Sequence, residues 1–469
     1  MLPKSCLIPA AVPLLILLHG CGGCGEIRLA GDASMDFFVP EDGVELPPAA
    51  WAKTYGDIGE DWALSVQETS DSGLIVAGWT AFSVLGVDFW VLKLDRYGTV
   101  MWQKAYGGEL NDWAMAIRET TDRGFIVAGW TTSYGMGAVD TWVLKLDRDG
   151  EIIWQKAYGN SGWNSAFTIE PTSEGGYVVA GETMDPDGLY YSVWIMKLDR
   201  DGGIEWQKVY SGMENEAALS IQQTPDNGYI VAKWSAGHST GDEDFWLLKL
   251  DAWGVPEWQK AYGGPEYDYS YAAARTSEGG YVIVGGTESF GMGWSDFWIL
   301  KLDEGGGVQW QRTYGGEGDD AAYAVEQTDD GGYVVSGWTD SFGGGWSDFW
   351  VIKLFPDGRP AWQKTFGAAD YEWENRVHQT SDGGYIIAGG TNSYGAGSSD
   401  VWVIKMLPDG EIAETCPYEV GMQSIVMMSE TSVEGRYVPV SPSDYYTAVT
   451  ETDAEPVITA AEVETQCSL

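Results

Sequence analysis

Ten residues after each of seven regularly spaced tryptophans stand Asp61, Asp112, Asn164, Glu216, Asp268, Asp320 and Glu372. Six carboxylates and an amide in one register could bind a hard cation such as Ca²⁺, which takes about 6–8 oxygen ligands. The competing reading is local, each side chain accepting backbone N–H groups of its own turn. A local role explains all seven copies where one metal does not, and the linear Asp-x-Asp-x-Asp-Gly calcium loop is absent. No firm metal site follows, and calcium stays open as a ligand.

Aromatic residues form a second set: Phe82, Tyr134, Phe290, Phe342 and Tyr394, with Trp294 and Trp346 nearby. Rings beside carboxylates can stack on sugars and hydrogen-bond their hydroxyls, but large rings also serve packing between neighbouring repeats. A third set breaks the repetition. Ser192 stands where the other repeats have Asp, Lys233 where they have Gly, and Glu182 where Trp is commonest. The same two repeats carry Asp185, Asp187, Tyr190, Tyr191, His238 and Asp242 in their longer loops. A specific site on a symmetric scaffold must break its symmetry, so these six are the candidate ligand face. Neutral drift in two repeats is the alternative.

Catalysis has little support. Only His238 and His378 remain beyond residue 20, and no metal-spaced histidine pair or phosphate-cradling loop is present. A glycan-active pair of carboxylates stays open, because two such residues far apart in sequence can meet in space.

These residues need elements to position them, and the elements repeat. The Trp of an Asp-x-Trp phrase falls at 90, 142, 194, 246, 298, 350 and 402, a period of 52 residues. Units of that length cannot bury their own apolar face and form propellers or solenoids. Alternation and β-branched or aromatic enrichment predict four strands per unit, in the sixth at 320–328, 333–339, 348–353 and 361–366. The first two strands join through Thr-x-x-x-Gly, with Gly73, Gly124 and their equivalents expected to supply the positive φ of the hairpin. A second hairpin carries Gly98, Gly150 and their equivalents.

Trp51-Ala52-Lys53-Thr54-Tyr55 reads as a fourth strand with no first three before it, while the last unit has Glu414 where its fourth-strand Trp belongs. The expected fold is therefore all-β: a seven-bladed β-propeller of four-stranded, 52-residue repeats, closed by the N-terminal strand, over residues 49–412. The loops from strand four to one and from two to three share one face, the face on which the three sets above should gather.

The phrases Trp-Gln-Lys-x-Tyr-Gly-Gly and Asp-Gly-Gly-Tyr resemble repeats of bacterial and archaeal secreted β-propeller proteins. That resemblance covers about four-fifths of the chain and implies the fold, not an activity. Residues 1–20 carry Lys4, an apolar run from Leu7 to Leu18 and small residues at the end, a pattern expected of an export signal. Leu18-His19-Gly20-Cys21 resembles the lipobox of bacterial lipoproteins, which implies lipidation of Cys21; an ordinary secretory signal is the alternative. Residues 21–48 read as an acidic tether, and 413–469 as an acidic, extended tail that a Cys416–Cys467 disulfide could close.

The net charge of −44 excludes a nucleic-acid or anionic-membrane face. The basic residues fall largely in two repeat-locked registers, Lys53 to Lys364 and Lys93 to Lys405. The functional expectation is a monomeric, lipid-anchored binding scaffold in the cell envelope, its body periplasmic or extracellular, for an extracytoplasmic protein. A lectin-like propeller that takes a glycan is the alternative.

Overall fold

The computed structural model describes residues 50–412 except 84–85, 185–187, 211–214 and 236–243, and beyond 412 the backbone of seven short strands. All the described secondary structure is β. Blade 1 comprises Asp61–Glu68, Leu74–Ser83, Gly86–Leu94 and Val100–Tyr106. Blade 6 comprises Asp320–Gln327, Tyr333–Thr339, Asp348–Leu354 and Pro360–Phe366, within two residues of the expected strand bounds. Blade 7 takes three strands from 372–406 and its fourth from Trp51–Gly56, which pairs antiparallel from Trp51↔Lys405 to Tyr55↔Val401. The ring is a seven-bladed β-propeller closed by the N-terminal strand.

The first strands contact one another round the axis and line the channel. Third strands such as Phe349-Trp350-Val351-Ile352 read as unbroken apolar runs because both faces are covered by neighbouring blades. The core is accordingly seven clusters that straddle blade junctions, with Phe89 against Trp142 at 4.7 Å and Phe297 against Trp350 at 4.5 Å.

Polar latches tie the blades at the hairpin end. Tyr55, Tyr106, Tyr158, Tyr210 and Tyr262 donate their hydroxyls to the carbonyls of Gly98, Gly150, Gly202, Gly254 and Gly306 at 2.6–2.8 Å. Gly98 has φ of +72°, and a Cβ on it would lie 2.7 Å from the Trp51 indole. The turn and the latch therefore both require glycine there.

The other hairpin corrects the sequence expectation. Positive φ falls one residue earlier than Gly73 and Gly124, on Ser72, Arg123, Gly175, Asn227, Gly279, Gly331 and Gly383. Gly73 is needed for a different reason: a Cβ there would sit 2.4 Å from the Leu94 carbonyl oxygen.

Two features lay outside expectation. Every first strand carries a β-bulge at one register, leaving Leu64, Met115, Phe167, Leu219, Tyr271, Tyr323 and Asn375 unpaired in the ladder. The tail also runs back round the whole ring. Glu419–Val420, Met427–Ser429, Arg436–Tyr437, Pro442–Asp444, Ala448–Glu451 and Val457–Ile458 add a fifth strand to blades 6, 5, 4, 3, 2 and 1, and Glu462–Ser468 adds one to blade 7. Short added strands cover the outer edges that would otherwise invite pairing with another chain. Cys467 lies opposite Ala52 in that last pairing, while Cys21 and Cys416 fall outside the described residues.

Candidate functional site: the channel and its loop face

The seven residues of the expected ring are at most 1% exposed. Most are held within their own turns. Asp112 accepts the Gly108 N–H at 2.9 Å, the Ser133 hydroxyl at 2.8 Å and the Thr131 hydroxyl. Asp268 and Asp320 repeat the pattern, with Gly264 at 2.7 Å and Gly316 at 3.0 Å. Glu372 accepts from Ala368 N–H and Thr391, Asp61 from Asp57 N–H, and Asn164 Oδ1 from Thr183.

Their nearest acidic neighbours are not one another but the third-strand Asp of the preceding blade. A Cβ on Gly367 would lie 1.6 Å from Asp348 Oδ1 and 2.6 Å from Glu372 Oε2, so only a glycine separates the two carboxyl groups. Burial, together with the facing carboxylate, pushes Asp88 up to about 6 and Asp296 up to about 7. Burial likewise raises Asp61, Asp320 and Asp348 to about 6. Among the described residues no three His, Cys, Asp or Glu side chains gather as a metal would need.

The candidate aromatics divide. Tyr134, Phe290, Phe342 and Tyr394 each pack on the Asp-x-Trp indole of their own blade, at 5.0–5.3 Å. Trp294 and Trp346 instead stand 77% and 65% exposed on the loop face. Phe82 has no described side chain.

A larger aromatic assembly went unread in the sequence. Ring contacts run without a break through Trp346, Tyr371, Trp373, Trp62, Trp79, Trp113, Trp130, Trp163 and Tyr191, from blade 6 through blades 7, 1 and 2 to blade 3. Its members come from first strands, second strands and loops, with Tyr191 at the start of a third strand. Trp373 lies opposite Gly390, and a Cβ on Gly390 would come within 3.0 Å of Trp62. The arc ends beside Glu182, whose carboxyl burial pushes up to about 7 against a hydrogen bond from Trp163.

The symmetry-breaking Lys233 of blade 4 is answered by the ring residue of its own blade. Lys233 and Glu216 form an ion pair of 2.5 Å with side chains 1% and 0% exposed, and the ammonium lies 3.4 Å over the Trp246 ring. Desolvation lowers Lys233 to about 8, against the attraction of Glu216. Of the six candidate ligand residues, Tyr190 is 42% exposed and Tyr191 closes the arc against Trp163 at 6.3 Å. Asp185, Asp187, His238 and Asp242 lie outside the described residues. So does Gly237-His238-Ser239-Thr240-Gly241, which matches Gly-x-Ser-x-Gly spacing; the described residues contain no helix to supply the strand-to-helix turn that motif needs.

No protein-family model matches the chain, and no curated protein is similar to it. Among solved structures it is similar to Sqt1 from Chaetomium thermophilum, with a TM-score of 0.40 and 11% identity over 71% of this chain and 81% of that one. The propeller assignment stands on this chain's own strand pairing.

Proposed function

We propose that the protein is a binding scaffold held outside the cytoplasm by a lipid on Cys21, and that it docks an extracytoplasmic protein on its loop face. One observation carries the reading. The ring holds a row of exposed apolar tips on that face, among them Ile58, Met136, Leu189, Met292, Trp294 and Trp346, besides scattered ones such as Trp253 at the hairpin end. Exposed apolar groups rimmed by charge mark interaction surfaces, and loops over a rigid scaffold are where propellers vary. Tyr190 stands exposed next to Leu189 in the same row. The acidic surroundings favour a basic or calcium-bridged partner and a salt-sensitive encounter.

Carbohydrate is the second reading, and Trp346 favours it. As the end ring of the aromatic arc it has one stacking neighbour among the described residues, Tyr371, and its other face is offered to a sugar.

The test immobilises the wild-type body and a Trp294→Ala/Trp346→Ala variant beside each other, with envelope extract and a glycan array as the two probes. A protein captured by the wild type and lost with the variant supports docking, and a glycan lost in the same way supports the second reading. Equal capture by both bodies sinks the loop-face assignment.

A further inference from the structure

The channel contains a chamber at the hairpin end, opposite the loop face. Its volume is about 220 Å³, and all seven first strands contribute to its wall. The bulge belt lies on its loop-face side, where the Tyr271 and Tyr323 rings approach to 4.1 Å. The wall is essentially one register: Gln67, Arg118, Glu170, Gln222, Glu326 and His378, with Ala274 as the seventh.

Each polar member is already anchored, Arg118 through all three guanidinium nitrogens, to Glu170, Ser65 and the Ile117 carbonyl, and the others through one atom. Gln67 Oε1 accepts the Glu119 N–H at 3.0 Å, and Gln222 Oε1 accepts the Arg275 N–H at 3.0 Å. Arg118 Nε donates to Glu170 Oε1 at 2.8 Å, and His378 Nδ1 lies 3.0 Å from Glu326 Oε2. Anchoring sets the rotamers in advance, which lowers the ordering cost of taking up a ligand. It also leaves the amide NH₂ groups of both glutamines and a second oxygen on each glutamate at the wall, with Arg376 beside them.

The charges decide the ligand class. Arg118 and Arg376 balance Glu170 and Glu326, with one of each sign in blades 2 and 3 and one of each in blades 6 and 7. A polyanion would have to approach a chain of net charge −44, and a polycation would find no surplus of carboxylate inside. The volume is below the ~300–1,000 Å³ of pockets for drug-sized ligands and equals roughly seven waters.

We propose that this chamber binds a small zwitterion of amino-acid size. Its carboxylate meets the guanidinium and glutamine amide donors, and its ammonium meets Glu170 or Glu326. The site is independent of the loop-face function, and either can fail without the other.

The experiment uses the full chain, with thermal unfolding and titration calorimetry against neutral L-amino acids, singly and mixed. Succinate, putrescine and glucose serve as the dianionic, dicationic and uncharged probes. A saturable rise in melting temperature with at least one neutral amino acid, and with none of the three other probes, is the expected result. Glu326→Gln and Arg376→Gln should each weaken that binding by about tenfold or more, as loss of a charge-assisted hydrogen bond does. No saturable effect from any neutral amino acid overturns the proposal. So does an equal effect from succinate, putrescine or glucose, or unchanged affinity in both variants. Should a variant fail to fold, a crystal of the unmodified chain soaked in the amino acid decides: density between Glu170 and Glu326 supports the site, and an empty chamber overturns it.

Discussion

Two rings of carboxylates circle this propeller, and the same side chain behaves in opposite ways in them. Near the loop face, Asp61 meets Asp400, Asp88 meets Asp112, Asp244 meets Asp268, Asp296 meets Asp320 and Asp348 meets Glu372, each pair round a glycine. At the hairpin end, Asp71, Asp122, Asp226, Glu278, Asp330 and Asp382 each meet a lysine ammonium at 2.8–3.2 Å. The first ring is buried with like charge opposite, and the groups with resolved shifts are raised. In the second ring burial pushes the same way, but hydrogen bonds and the lysine charge outweigh it and hold Asp226, Glu278 and Asp330 down at about 2. Depth of burial separates the rings: desolvation leads in the first and raises even Asp140, which faces the Asn164 amide, while the more exposed second ring leaves hydrogen bonds and the lysine charge in control.

Two junctions near the loop face escape the like-charge pairing. Asn164 puts an amide opposite Asp140, and at the next junction Ser192 replaces the Asp while Lys233 meets Glu216. The largest expected effect breaks that exception. Lys233→Met leaves Glu216 buried without its cation and should cost about 3–5 kcal/mol, measured by urea unfolding at pH 7. Adding Glu216→Gln should recover most of the loss. A single-variant cost below about 1 kcal/mol would mean the pair neutralises nothing that matters.

The double-carboxylate junctions should make stability rise on acidification. Their folded pKa values, about 6 to 7, lie above the ordinary 3.8, so the folded state holds protons that the unfolded chain releases. That stability is complete below about pH 4 and is lost as pH rises through 6 to 7. Asp348→Asn tests one junction. Asp348 Oδ1 is buried without a hydrogen-bond partner, and an amide there can donate to Glu372. The variant should gain about 1–2 kcal/mol at pH 8 and nothing at pH 4, by unfolding at both pH values. A gain that is the same at both would assign the effect to packing.

Blade number, closure and strand bounds were legible because period, alternation and turn glycines all point to one architecture. The hairpin glycine was misassigned because Ser72, Arg123 and Asn227 carry the positive φ that the repeated glycine was expected to supply. The aromatic arc was invisible because its members occupy different registers, Trp62 on a first strand and Trp79 on a second, and meet only through cross-strand pairing and packing between blades. Lys233 was legible as a departure but not as the partner of Glu216, since a 17-residue separation marks nothing until the hairpin forms. The tail's strands run two to seven residues, mostly too short for a period to register.

The smallest expected effect lies in the hairpin-end ring. Asp330 accepts the Thr328 hydroxyl at 2.5 Å and the Gly332 N–H at 3.0 Å, and pairs with Lys353 at 2.9 Å. Its side chain is 60% exposed, and Lys353 also donates to the Leu354 carbonyl at 3.0 Å. Asp330→Asn keeps Oδ1 as acceptor for the Gly332 N–H and for Lys353 and removes the charge with the second, Oδ2 contact to Lys353, so the loss at pH 6 should be about 1 kcal/mol or less. Asp330 stands at about 2 when folded against an ordinary 3.8, so its stabilisation is present above about pH 4 and fades as pH falls through 2. Wild type and variant should therefore converge near pH 2 in urea midpoints. The lysine is the buried partner, with its side chain 5% exposed, and that sets the risk in the prediction. A loss above about 2 kcal/mol at pH 6 would mean Lys353 depends on Asp330 as a desolvated ion does, and the two rings would then differ in sign but not in depth.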